Sequence, residues 1–76
     1  MTAEEMFKEL NGFINNDHEL QYDFYNEIEH DLISNSLVFD LKEKTYWFNY
    51  GYGGFPDITL KLHQAITKQM EELGWL

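Results

Sequence analysis

Apolar positions change their period along the chain, and each change predicts an element. Met6, Phe7, Leu10, Phe13 and Ile14 recur at three- and four-residue intervals, the spacing of one helix face. Thr2 followed by Glu5 fits a capping box, so this helix is expected to begin at Ala3. Gly12 weakens it, and Asn15 and Asn16 are expected to end it. Asp17 is placed to cap a second helical segment, in which Leu20, Phe24, Ile28 and Leu32 step by four and Tyr25 widens the stripe. The N-terminal half thus predicts two helices with a short break, or one bent helix. Asn35 and Ser36 read as a turn.

From Leu37 the period is two: Leu37, Phe39 and Leu41 alternate with Val38 and Asp40. Lys42, Glu43 and Lys44 form a polar reversal, and residues 45–50 are a second β-rich run, which predicts a hairpin with a turn longer than two residues. A Gly-rich stretch follows at 51–56. Asp57 can cap a last helix bearing Leu62, Ala65, Ile66, Met70 and Leu73, with Gly74 just past its end and Trp75 folding back on Met70. Ile58, Leu60 and Leu62 also alternate, so a short third strand at 58–62 is the alternative to helix there. The predicted class is α+β: a helical N-terminal half, a β-hairpin and a C-terminal helix. Two or three strands do not stand alone, so helices should cover one face of the sheet.

Seventy-six residues predict one domain, 1–76, and a domain of this size buries only about 60% of its unfolded surface. No Cys is present to supplement the core by disulfide or thiolate metal site; six Phe, five Tyr and two Trp do so instead. The chain opens without a basic stretch leading into an apolar run, and its apolar runs are far too short to cross a bilayer. A cytoplasmic protein is therefore expected.

Charge changes the picture. The net charge is −9, no Arg is present, and residues 1–40 hold ten acids against Lys8 alone, whereas residues 41–76 balance to zero. Phosphate backbones and anionic membranes demand Lys or Arg, so neither is an expected partner. A basic protein is the natural complement. Glu19, Asp23, Glu27 and Asp31 recur every four residues, and on a helix they would form one ridge with carboxylates about 6 Å apart. Each like-charged pair would cost about 0.2–0.5 kcal/mol. Such a ridge, broadened by Glu29, Glu4, Glu5 and Glu9, is a candidate partner-binding site; a merely solvated face is the competing explanation.

A second candidate is the aromatic run of Tyr46, Trp47, Phe48, Tyr50, Tyr52 and Phe55. Alternation puts Tyr46, Phe48 and Tyr50 on one strand face and Trp47 on the other. Trp47, Tyr50 and Tyr52 are the candidates for exposure and for anchoring a partner.

Other chemistry is poorly supported. The glycines at 51–54 lack the pattern of a phosphate loop and lead to Asp57, a carboxylate where phosphate would sit. Glu27 and His30 give half of a di-iron pattern, Asn15, Asp17 and Glu19 a fragment of a calcium loop, and His18 and His63 stand alone. Ser34 and Ser36 lack a nucleophile context. No metal, cofactor or catalytic activity is expected.

In size, one-sided acidity, the spacing at Glu19, Asp23, Glu27 and Asp31, and the aromatic run 46–55, the chain resembles small acidic inhibitors of the phage anti-CRISPR and DNA-mimic type. More distantly it resembles barstar and the colicin immunity proteins. The resemblance implies a stoichiometric inhibitor that occupies the basic surface of a nuclease or other nucleic-acid-binding protein, acting in the host cytoplasm if phage-encoded. The alternative is a structural or adaptor module, homodimeric through the Trp47, Tyr50 and Tyr52 face.

Overall fold

Among the described residues, two helices flank a run of four strands in the order α1 (Ala3–Lys8), β1 (Gly12–Asn15), β2 (Leu20–Ile28), β3 (Asp31–Asp40), β4 (Thr45–Asn49) and α2 (Leu60–Glu72). The computed structural model describes residues 1–15, 20–28, 31–49 and 58–76, with backbone alone at 25–28 and 31–34. The strands form one antiparallel meander in which each pairs with the next. The α+β class is as predicted, with more strand and less helix than the N-terminal half suggested.

Helix α1 starts as expected. Thr2 accepts from the Glu5 N–H at 3.2 Å, and Glu5 accepts from the Thr2 N–H at 2.9 Å, completing the capping box. The Ala3 N–H donates to Glu72 Oε2 at 2.7 Å, so the last turn of α2 satisfies a free donor at the start of α1. The helix is shorter than its apolar spacing implied. Asn11 takes φ 61°, a left-handed conformation that Asn tolerates, and the chain turns into β1. Phe13 and Ile14 therefore lie on a strand. Gly12 is paired with Phe24, whose ring occupies the space a side chain would need: an added Cβ would lie 2.5 Å from Phe24 Cε1. Gly12→Ala should lower stability by about 1–3 kcal/mol, the cost of overpacking, read from the urea midpoint.

The larger correction falls on the segment read as a second helix. Its residues 20–28 form β2, and residues 31–40, including the expected turn at Asn35 and Ser36, run unbroken as β3. A step of four fits a helix face and a strand face alike, because four is a multiple of two. Leu20 and Phe24 keep their common side in either conformation. Tyr22 decides: on a helix it would point away from both, whereas on the strand it joins them, and it is buried. Four strand residues also span about 13 Å, so like charges at that spacing barely repel. Asp23 and Glu27 are set apart in this way on β2, and Asp31 is on β3.

The hairpin of β3 and β4 is as predicted, with its turn at 41–44. Asp40 Oδ1 accepts from the N–H groups of Lys42 and Glu43, each at 3.0 Å, and its carbonyl accepts from the Lys44 N–H at 2.9 Å. In α2, Thr59 supplies the cap by accepting from the Leu62 N–H; Asp57, the expected cap, lies outside the described residues. The alternative third strand at 58–62 is not formed, and Leu60, the residue that favoured it, is on the helix and 72% exposed. At the other end Gly74, at φ 77°, and Trp75 return N–H bonds to Glu71 and Met70, the expected Schellman closure.

Both helices lie on the same face of the sheet. Ala3 and Phe7 from α1, Tyr22, Leu37 and Phe39 from the strands, and Leu62, Ala65 and Ile66 from α2 form the buried core. Phe7 stacks on Tyr22 with ring centroids 4.1 Å apart. The Tyr22 hydroxyl donates to Gln69 Oε1 at 2.5 Å, joining α2 to the sheet. Burial, reinforced by Glu4 and Glu72, pushes this hydroxyl up to about 12, so it remains a donor throughout the physiological range.

Candidate interaction surface

Alternation fixes what the other face carries. In one row across the sheet the register aligns Asn15, Gln21, Val38 and Trp47; in the next it aligns Phe13, Asp23, Ser36 and Asn49. Strands lie about 5 Å apart and rows about 7 Å apart, so these eight positions make a platform about 15 Å wide. Among the described residues no helix covers it. Trp47 is 47% exposed on the edge strand β4 and Phe13 44% exposed on β1, at opposite corners. Asp40 lies on the same face, opposite Thr45 and one step along from Trp47.

Between the two aromatics sits a polar centre. Asp23 is only 9% exposed, although no helix lies over it. Its Oδ1 accepts from Gln21 Nε2 at 2.7 Å and Ser36 Oγ at 2.8 Å, and its Oδ2 from Asn15 Nδ2 at 2.7 Å. Burial acts to raise its pKa, but the donors from Gln21, Asn15 and Ser36 together outweigh that and hold it below the usual carboxylate range. The carboxylate is thus ionised and held by three donors from its own neighbours, tying β1, β2 and β3 together. It is a structural charge.

The predicted site residues therefore divide. Asp23 and Glu27 lie on β2 and Asp31 on β3, so the expected helical ridge is not formed. Glu19 and Glu29, and from the aromatic set Tyr50 and Tyr52, lie outside the described residues, as does the Gly-rich stretch 51–56. Trp47 stands as predicted, on the face opposite Tyr46 and Phe48. Tyr46 and Phe48 face the helices: Tyr46 packs on Phe39 with centroids 5.7 Å apart, and Phe48 is paired with Leu37. Asn15, Gln21 and Ser36 were not legible as partners of Asp23, since only the three-strand register brings them together.

The strands carry charge of one sign. Asp23, Glu27, Asp31 and Asp40 are their charged residues, and no Lys, Arg or His lies on any of them. The lysines are on α1 (Lys8), the β3–β4 turn (Lys42, Lys44) and α2 (Lys61, Lys68). A shallow groove beside the helices, lined by Met6, His63, Gln64, Thr67, Lys68 and Glu71, is open to solvent. Among the described residues no three His, Cys, Asp or Glu are grouped to hold a metal, and no helix is long and apolar enough to cross a membrane. Comparison of the chain with protein-family models, curated proteins and solved structures returns no match.

Proposed function

We propose that the chain is a cytoplasmic, non-catalytic binding protein that blocks the basic nucleic-acid-binding surface of a partner protein, docking through the helix-free face of its sheet. One observation carries this: the strands bear only acidic charge, and their uncovered face presents a half-exposed Trp47. Complementary charge would steer a basic partner to this face and weaken with salt, and the aromatic would supply the desolvated anchor. Stoichiometric inhibition of the kind seen in DNA-mimic proteins follows if the partner's surface also holds nucleic acid.

The second reading is a homodimeric adaptor. Tyr46 and Trp47, both exposed on edge strand β4, favour it. A net charge of −9 opposes it, because each copy must approach its like.

The test is capture on immobilised protein from a cell lysate, washed in parallel with buffer and with excess duplex DNA, alongside Trp47→Ala and sedimentation at low micromolar concentration. The expected result is retention of nucleic-acid-binding proteins that DNA displaces, loss of that retention in Trp47→Ala with unchanged circular dichroism, and a monomer in the centrifuge. Retention that DNA leaves intact would overturn the inhibitor reading, and a Trp47-dependent dimer would replace it with the adaptor.

A further inference from the structure

We infer that Trp47 and Asp40 together form a seat for an arginine side chain, so that the partner's contact with this face is an arginine and not merely any cation. This rests on the proposed docking face and names the chemistry of its occupant. Trp47 is opposite Val38, and Asp40 lies two residues beyond Val38 on the same side of β3. Diagonal neighbours of this kind are about 7–8 Å apart, within the span of one long side chain.

The carboxylate is held in place and only half used. Asp40 Oδ1 accepts the two turn N–H groups from Lys42 and Glu43. Its Oδ2 takes no donor and no cation among the described residues, where the only ion pair is Lys8 with Glu4. Neither Lys42 nor Lys44, close by in sequence, forms an ion pair with Asp40. Asp23 differs, since its oxygens are engaged by Asn15, Gln21 and Ser36.

A guanidinium suits both halves of the seat. Its flat face stacks on an indole, and its edge presents N–H donors to the free Oδ2 of Asp40. A lysine ammonium is a compact, strongly hydrated charge and cannot lie flat on the ring while reaching Asp40. Nucleic-acid bases would also stack on Trp47, but the acidic strands repel the phosphates attached to them.

The test is an NMR titration of the intact protein with a tetra-arginine peptide and, separately, a tetra-lysine peptide of equal charge at low salt, following the two indole N–H resonances. Trp47 is assigned from the spectrum of Trp47→Phe, and Trp75, packed against Phe39 with centroids 6.1 Å apart, is the internal control. The arginine peptide is expected to move the Trp47 resonance and leave Trp75 in place, binding about fivefold or more tightly than the lysine peptide. Asp40→Asn should reduce that preference to about twofold or less. Equal binding of the two peptides would overturn the arginine seat and leave the docking face standing. A Trp47 resonance that moves with protein concentration alone would overturn it in favour of a second copy. The capture experiment fails independently: no DNA-displaced partner together with a clear arginine preference would remove the inhibitor function and keep the seat.

Discussion

Phe39→Ala is expected to unfold much of the protein at 37 °C. The Phe39 ring is fully buried and meets those of Phe7, Tyr22, Tyr46 and Trp75, with centroids 6.5, 6.3, 5.7 and 6.1 Å away. It joins Phe7 of α1, Tyr22 of β2, Tyr46 of β4 and Trp75 just past α2. Truncating a buried phenylalanine costs about 3–5 kcal/mol. A 76-residue domain holds about 4–11 kcal/mol in all. The two ranges overlap, so the melting temperature should fall by more than about 15 °C, if a transition survives at all. Phe39→Leu keeps most of the apolar volume and should lose about 1–1.5 kcal/mol. Thermal and urea unfolding followed by circular dichroism separates the two variants. An Ala variant that lost less than about 1 kcal/mol would mean that the helices do not pack on the sheet as described.

The function proposed for the opposite face depends on this packing. Because both helices bury their apolar residues against Tyr22, Leu37 and Phe39, the residues that alternate with these are left on the uncovered side. Val38, Asp40 and Trp47 are presented outward for the same reason that Phe39 and Leu37 are buried.

What was legible in the sequence is what local rules decide. The capping box at Thr2 and Glu5, the polar reversal at Lys42, Glu43 and Lys44 and the Schellman closure at Gly74 are short-range devices, readable at fixed offsets. The spacing over 20–28 suggests a helix because Leu20, Phe24, Ile28 and the acids beside them repeat every four residues, a spacing both periods accept. The absence of counter-charge was the better guide, since a helix is penalised by that spacing and a strand is not. Tyr22, between Leu20 and Phe24, was the residue to weigh. The Asp23 network lay beyond reach, because Asn15, Gln21 and Ser36 come from three strands whose register no local pattern sets.

That network yields the second large effect, and it bears on how the surface can be tested. Asp23→Lys places a cation where Asn15, Gln21 and Ser36 all direct donors, with little access to water. Breaking a buried charge arrangement in this way costs about 3–5 kcal/mol. Asp23→Asn should cost about 1–3 kcal/mol, because its amide opposes donor to donor on one side. The pH dependence follows from the depressed pKa. A carboxylate with a native pKa below its unfolded value of about 3.9 contributes stability in full above that value, and loses it as pH falls toward the native pKa. Wild type and Asp23→Asn should therefore differ most near neutral pH and converge in strong acid, checked by urea unfolding from pH 7 down to pH 2.5. A gap that stayed constant with pH would mean that the ionised carboxylate is not what the three donors hold. Any binding lost by Asp23→Lys would then come with lost structure. Trp47→Ala, at an exposed position outside the core, separates the two: partner binding should vanish while the circular dichroism spectrum and the acid limb of stability stay as in the wild type.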